Sequence, residues 1–210
     1  MLIKTFKTGR KKPYGFTILE IMIATTIFGV ILLILAAGIL SFARNYFASV
    51  TRSTTQATAR SAAEDIARAI QFSGEEPTRI TTPTKEAVCI GNVGYIGFIG
   101  VKLTGTNHGL IKRVLPTGTI SCSNFVSAFA YNAATDQELL AKNTRLSIMK
   151  APSLGDGASS VHIRVVYGDD NLLNTSVTPS DWSDLQCIGG VDAQYCAVSD
   201  LTTTVQRRLE

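Results

Sequence analysis

The chain has 210 residues, of which 45% are hydrophobic, so it can form one domain with its own core plus an appended segment. This composition excludes an intrinsically disordered protein. The formal net charge of +4 is weak support for a nucleic-acid partner, because five of the 20 basic residues lie in the first fifteen positions, which hold no acid. They are Lys4, Lys7, Arg10, Lys11 and Lys12. Without them, 15 basic residues stand against 16 acidic residues, a net charge of −1.

A long uncharged segment follows this basic N-terminus. Ile21 to Ala43 contains 23 residues without a charge or a proline. A helix rises ~1.5 Å per residue, so the segment reaches ~35 Å and covers a hydrocarbon layer of ~30 Å. The alternative, a buried core helix, is usually shorter and keeps a polar stripe. We therefore expect a transmembrane helix.

Charges around this span predict its orientation. The five cations precede it, and only Arg44 directly follows it. Because positive residues are retained on the cytoplasmic side, the N-terminus is expected in the cytoplasm and the rest of the chain outside.

All four cysteines lie beyond the span, on the side where an oxidising compartment would allow them to pair. Four cysteines allow three connectivities. We favour Cys89 with Cys122 and Cys187 with Cys196, because each pair closes a local loop. Zinc is the rival interpretation, but the chain has no C-x-x-C motif and its two histidines are far from the cysteines in sequence.

The entrance to the span has an unusual order of residues: Lys11-Lys12-Pro13-Tyr14-Gly15-Phe16-Thr17-Ile18-Leu19-Glu20. A secretory signal would have a shorter apolar run, with its cleavage site at the far end. Here a lone carboxylate, Glu20, stands among apolar residues. Because an ionised group near the hydrocarbon boundary is costly unless it finds a partner, Glu20 is a candidate functional residue.

These residues resemble the type IV pilin family, which includes minor pilins and the pseudopilins of type II secretion and DNA-uptake systems. The family signature is a short basic leader ending in glycine, then phenylalanine, and a glutamate four residues further on, all fused to a membrane helix. Gly15, Phe16 and Glu20 match this signature. The resemblance is specific over residues 10 to 43, and beyond residue 73 it covers only general architecture.

The resemblance implies cleavage between Gly15 and Phe16 by a membrane prepilin peptidase, followed by N-methylation of Phe16. Neither reaction would be catalysed by this chain. The implied partner of Glu20 is the new amino group of Phe16 on a neighbouring subunit. The implied partners are thus other pilin subunits, the peptidase, the assembly machinery and, before assembly, the membrane; after assembly the protein would lie in a cell-surface filament. No cofactor or metal is expected.

One feature departs from the family pattern. Many major pilins have a proline part way along the apolar helix, whereas this chain has none between Pro13 and Pro77. We therefore favour a minor pilin or pseudopilin over a major subunit.

The sequence predicts an α+β fold, with a long N-terminal helix packed on an antiparallel sheet. The segments are a cleaved basic leader, a transmembrane and assembly helix, a continuation of that helix, and a mainly-β extracytoplasmic head. Their bounds are residues 1–15, 16–43, 44–73 and 74–210.

In the helix continuation, two apolar faces follow one another. The first holds Phe47, Val50, Thr54 and Ala57, and the second holds Ala59, Ala63, Ile66 and Ile70. The helix should end at Ser73-Gly74, shortly before Pro77.

In the head, Tyr95 to Thr104 and Leu110 to Leu115 should form a hairpin around the two glycines of residues 105–109. Further strands are expected at 145–150, 161–167 and 198–205, and a short helix at 136–142.

Residues with catalytic or ligand chemistry are few. His162 lies on an alternating strand without a nucleophile partner, and His108 lies in a turn. Asp181, Asp184 and Asp192 are loop acids that could bind calcium, although such acids are usually only solvated.

Two alternatives stay open. One is a membrane-anchored binding module, for adhesion or DNA uptake, that does not polymerise; nothing in the sequence supports a DNA or adhesion ligand directly. The other is a membrane-tethered enzyme whose site assembles from distant residues. We expect a structural filament subunit rather than an enzyme.

Overall fold

The computed structural model describes residues 15–115, 121–174, 184–190 and 192–208. The described chain begins with a long helix, α1 (Ile18–Phe72), and has a second, short helix, α2 (Cys122–Ser127). Its strands are β1 (Thr78–Thr81), β2 (Lys85–Ile90), β3 (Val93–Phe98), β4 (Leu110–Val114), β5 (Asp136–Glu138), β6 (Thr144–Lys150), β7 (Ser153–Gly155), β8 (Ala158–Tyr167) and β9 (Ala197–Gln206). The described chain is thus an α+β protein with a long N-terminal helix followed by antiparallel sheets, as predicted.

The chain divides into two compact units, with the boundary between Ala43 and Arg44. The described part of the first unit is the beginning of α1, in which no residue is buried. The second unit contains the rest of α1 and all the strands.

The first sheet has the strand order β1-β2-β3-β4-β5. Alternate residues of β2 serve its two faces, as strand geometry requires. Val88 and Ile90 belong to the core cluster that contains α1, whereas Ala87 and Cys89 pack with Phe125 of α2. The sheet is therefore covered by a helix on each face.

The second sheet is built around β8. β9 pairs with β8 along its whole length, from Ala158 opposite Gln206 to Tyr167 opposite Ala197, while β6 and β7 pair with the other edge. Burial alternates along β8, and Val161, Ile163 and Val165 face the core shared with α1.

A buried carboxylate joins the two sheets. Glu86 of β2 accepts a hydrogen bond from the backbone N–H of Met149 in β6, at 3.0 Å. Its other oxygen accepts from Arg79 of β1, at 2.6 Å. Because Glu86 is only 7% exposed, these bonds are what make its burial tolerable.

The second half of α1 packs through small residues. Its buried residues recur at intervals of three or four, and they are Thr55, Ala59, Ala62, Ala63, Ile66 and Ile70. This spacing places them on one helix face, which confirms the second predicted face. The alanines allow the helix backbone to approach the sheet closely. Phe47 and Val50, from the first predicted face, are 46% and 44% exposed.

A polar cluster also fixes this half of the helix to the first sheet. The Tyr95 hydroxyl donates to Asp65 Oδ2 at 2.9 Å, and Lys112 Nζ lies 2.9 Å from the same carboxylate. Tyr95 and Lys112 are opposite one another on β3 and β4, so their side chains share a face. Burial and the Asp65 charge raise the pKa of the Tyr95 phenol well above its ordinary value, which keeps it a donor.

The end of α1 is held by the last described residues. The Arg208 backbone N–H donates to the Gln71 carbonyl at 3.2 Å, and the Arg208 guanidinium lies 5.4 Å from the centre of the Phe72 ring. A cation at this end of a helix complements its dipole. The helix ends at Phe72, as predicted from the glycine and proline that follow.

Two local predictions were wrong. β3 and β4 do form a hairpin, but β3 ends at Phe98, because Ile99 and Lys102 form bridges to β6 instead of continuing the ladder. The short helix predicted at residues 136–142 is absent, since Asp136 begins the short strand β5 and pairs with Arg113 of β4. The strands predicted at 145–150, 161–167 and 198–205 are confirmed within β6, β8 and β9.

Candidate processing and assembly site

The described residues before α1 are exposed and lie outside any helix or strand. Gly15, Phe16 and Thr17 are outside the helix, and Phe16 is 78% exposed. A Cβ added to Gly15 would meet no atom within 4 Å, so the described residues leave room for a side chain there. The peptide bond between Gly15 and Phe16 is therefore sterically open to another molecule. The leader cations fall outside the described residues.

Thr17 starts the helix as its N-cap. Its hydroxyl accepts a hydrogen bond from the Glu20 backbone N–H at 3.2 Å, and its carbonyl accepts from the same N–H at 3.1 Å. Thr17-Ile18-Leu19-Glu20 has the threonine-x-x-glutamate spacing of a capping box. This capping-box signal is visible in the sequence, although Glu20 was expected to act only through its charge.

Glu20 lies in the first turn of α1 and its side chain is exposed. The helix dipole favours a carboxylate there. Among the described residues, none provides a cation or a hydrogen bond to the Glu20 carboxylate. Within the described residues, Glu20 therefore has its backbone N–H satisfied and its carboxylate open to a further cation.

The helix beyond Glu20 exposes large apolar side chains on all sides. In the part of the chain that the structure describes, α1 is long enough and apolar enough to cross a membrane. None of the residues in its most apolar stretch is buried in the protein. The exposed residues include Ile23, Phe28, Leu33, Ile34, Leu35, Ile39 and Phe42. A helix that is apolar all round requires lipid or other helices to cover it.

The cysteines form two disulfides, in the pairs that the loop argument favoured. Cys89 of β2 bonds to Cys122 of α2, and Cys187 bonds to Cys196 just before β9. The first fixes α2 to the sheet, and the second closes a short loop whose base packs on Val166. Disulfides of this kind are typical of proteins outside the cytoplasm.

The histidines take part in side-chain contacts rather than in a nucleophile pair. His162 Nε2 lies 2.7 Å from Asp200 Oδ1 on β9. The His108 ring stacks on Tyr131 with centroids 3.7 Å apart, and its Nδ1 lies 3.6 Å from Glu138. In these contacts, neither histidine is paired with a serine hydroxyl or a cysteine thiol.

The loop acids do not form a metal cluster in the part of the chain that is described. Asp184 and Asp192 belong to that part, while Asp181 falls outside it. Across the described ranges, no three side chains of His, Cys, Asp or Glu are grouped in a way that could hold a metal ion.

An ion pair that the sequence did not predict lies between β4 and β5. Arg113 donates to both oxygens of Asp136, at 2.5 and 2.6 Å, and the Asp136 side chain is fully buried. Although burial alone would raise the pKa of the Asp136 carboxyl, the hydrogen bonds from Arg113 and the Asn132 N–H lower it below its ordinary value. This carboxylate therefore stays ionised and is a structural group.

Comparison with known families supports the N-terminal site. Residues 10–36 match the family model described as the prokaryotic N-terminal methylation motif. No curated protein matches the chain, and no solved structure does either. The matched residues contain Gly15, Phe16 and Glu20 and the beginning of the apolar helix. The chain therefore carries a type IV pilin-like class III leader joined to a membrane-anchoring helix, the N-terminal organisation of a type IV pilin-type prepilin.

Proposed function

We propose that the chain is a structural subunit, a minor pilin or pseudopilin, of a type IV pilus-like filament. The observation that carries this proposal is the junction itself. An exposed Gly15–Phe16 bond, a Glu20 carboxylate that has no partner among the described residues and an uncovered apolar helix follow one another. Each of the three is incomplete within one chain.

The first step is removal of residues 1–15 by a prepilin peptidase. Glycine lets an extended backbone enter a narrow peptidase site, and the open space around Gly15 supports this role. A cut at this point keeps the apolar helix in the protein. The new N-terminus would be Phe16, and the match of residues 10–36 to an N-terminal methylation motif supports methylation of that new N-terminus.

The second step is pairing of Glu20 with the new ammonium group of Phe16 on a neighbouring subunit. In a medium of low dielectric, the two opposite charges compensate each other, whereas either charge alone would be penalised. Their pairing would favour one axial register between neighbouring helices. Glu20 thus contributes specificity more than strength.

The third step is transfer of the helix from lipid into a helical bundle. Burial of apolar surface contributes ~25 cal/mol per Å², but lipid already covers this helix before extraction. Assembly therefore requires energy from an external machine. The alanine face and the disulfides of the second unit keep the head folded during this transfer.

Before assembly, the protein would be a single-span membrane protein with its N-terminus in the cytoplasm and its head outside. The excess of basic residues before the span supports this orientation. The two disulfides support an oxidising location for the head.

The decisive experiment is mass spectrometry of the protein recovered from membranes and from sheared filaments. The expected N-terminus in both fractions is N-methylated Phe16. Protein that still begins at Met1, or that has lost the apolar helix, would contradict the proposal.

One feature favours a second candidate, a membrane-anchored binding module that does not polymerise. An open cleft of about 830 Å³ next to β4 and α2 is lined by Phe125, Tyr131 and Arg113. Its rings and backbone groups could contact a ligand, although Arg113 is already engaged by Asp136. Unprocessed N-terminal sequence on the mature protein, together with absence from the sheared fraction, would favour this candidate.

A further inference from the structure

Three aromatic rings form an exposed cluster just after the membrane-spanning part of α1. The Tyr46 and Phe47 ring centroids are 6.0 Å apart, and the Phe47 and Tyr195 centroids are 5.8 Å apart. The three side chains are 58%, 46% and 43% exposed. We call these residues the ring cluster. Rings that contact one another yet stay half exposed indicate an interaction surface.

The position of the ring cluster along the chain indicates what it contacts. Tyr46 and Phe47 follow Ala43, the end of the uncharged segment, by three and four residues. At ~1.5 Å per residue they lie about 4 to 6 Å beyond it along the helix. The headgroup layer on each side of the hydrocarbon core is about 5 to 7 Å thick. Both rings therefore fall at the depth where tyrosine and other amphipathic rings concentrate in membrane proteins.

The charges of this part of α1 agree with a lipid surface. From Ile21 to Ala63 the helix has no acidic residue, and its charged residues are Arg44, Arg52 and Arg60. Cations next to a membrane span attract anionic headgroups.

Tyr195 reaches the cluster from a distant part of the sequence on a fixed support. It ends a single 3-10 turn, Ala193–Tyr195, directly before the disulfide-bonded Cys196. Cys196 is 6% exposed and packs on Leu173 and Leu185. The disulfide loop thus holds its tyrosine against the helix at the level of Phe47. The loop contributes one acid, Asp192, so this side of the cluster is less basic than the helix side.

We propose that the ring cluster binds the surface of a bilayer that contains anionic lipid, and that it seats the head on the membrane before the subunit is extracted. The helix alone would fix the depth of the head but leave it free to rotate about the helix axis. A second contact through the Cys187–Cys196 loop would fix that rotation. The membrane contact depends on the membrane span, and only its timing, before extraction, rests on the proposed filament role.

Tryptophan fluorescence in vesicles of phosphatidylethanolamine and phosphatidylglycerol tests this proposal. The chain has one tryptophan, Trp182, so a Trp182→Phe background allows a single reporter. In full-length protein with Tyr195→Trp, we expect blue-shifted emission and strong quenching by lipids brominated near the top of the acyl chain. Phe47→Trp, on the same background, provides an independent reporter if the first variant does not fold.

Tyr131→Trp is the matched control, because Tyr131 is 42% exposed and Tyr195 is 43% exposed. The control should show little quenching by brominated lipid. Equal quenching of the two reporters would overturn the proposal. So would a Tyr195→Trp reporter that stays open to aqueous quenchers in vesicles and becomes protected only in filaments, since the ring cluster would then be a subunit contact. The measurement uses unassembled protein, so failure of filament assembly does not alter its result.

Discussion

The two halves of α1 have opposite compositions and opposite environments. Its first half consists largely of Ile, Leu, Val and Phe, and none of its residues is buried within the chain. The half from Arg44 onward is rich in Ala, Ser, Thr and Arg, yet it contains all six buried residues of the helix. Whether a residue of α1 is buried therefore depends on whether the sheets pack against it, and not on its own hydropathy. An apolar helix whose side chains stay exposed among the described residues can be covered by lipid or by other helices.

Under the proposed function, the first half serves processing and assembly, while the second half serves folding. Substitutions in the two halves should therefore have separable effects, which the following experiments examine.

The largest effect is expected for Gly15→Asp. Because a side chain and a charge at this position would obstruct the peptidase, we expect cleavage to be lost and a precursor band to accumulate on an immunoblot. The head should unfold at an unchanged temperature, since Gly15 has no neighbour within 4 Å. Gly105→Asp is the matched control, because Gly105 also has no neighbour at this distance. Normal mobility of Gly15→Asp would remove the assigned cleavage site.

Glu20→Val should leave cleavage largely intact but prevent incorporation into filaments. The variant removes the acid that would pair with the amino group of Phe16 on a neighbour. Incorporation is measured by immunoblot of the sheared fraction. Glu64→Val is the control on the same helix, because Glu64 is a half-exposed acid paired with Arg60 at 2.7 Å, and such surface pairs contribute little to stability. Incorporation of Glu20→Val at the level of Glu64→Val would refute the role of Glu20.

Ile66→Ala should destabilise the head by about 3 kcal/mol, because it leaves a cavity in the core beneath the helix. Ile66 is 0% exposed. Ile34→Ala makes the same chemical change in the first half, where Ile34 is 66% exposed, and should leave head stability unchanged. Urea unfolding in detergent, followed by near-UV circular dichroism, measures both. Equal losses of head stability in the two variants would show that both halves of α1 contribute to the folding of the head.

Asp136→Asn changes an acid that has its partner inside the chain, whereas Glu20 has none among the described residues. The variant should lose about 2 kcal/mol at neutral pH, because the bidentate pair with Arg113 is weakened. The folded pKa of Asp136 lies below its ordinary value of about 3.9. Its contribution is therefore complete above the ordinary pKa and is lost as pH falls through the folded pKa. Unfolding midpoints across this range should converge for the variant and the parent. A constant difference at all pH values would exclude the charge as the cause.

Features coded by neighbouring residues could be predicted from the sequence. Gly15, Phe16 and Glu20 lie within six positions, so their spacing is visible without a fold. The end of α1 at Phe72 and the strand β8 follow from local glycine, proline and alternation signals.

Features that depend on distant contacts could not be predicted. Residues 136–142 have the polar and apolar spacing of a short helix, but Asp136 meets Arg113, 23 residues away, and this pairing selects a strand. Ile99 leaves the hairpin because it meets Leu146 in β6. The contact between Phe47 and Tyr195 joins positions almost 150 residues apart, so no local pattern could have indicated the ring cluster.

The carboxylate of Asp65 has a mechanical consequence. It accepts hydrogen bonds from the Tyr95 hydroxyl on β3 and from Lys112 Nζ on β4. One side chain of the helix therefore contacts two strands of the first sheet. The buried face of this half of α1 combines alanines with Ile66 and Ile70, and the Asp65 bonds add directional contacts to that packing. Tension applied along the helix would load these bonds in shear together, and it would reach the sheet before any strand had to separate. Through the Asp65 carboxylate, a pulling force on the helix would therefore be transmitted directly to the first sheet.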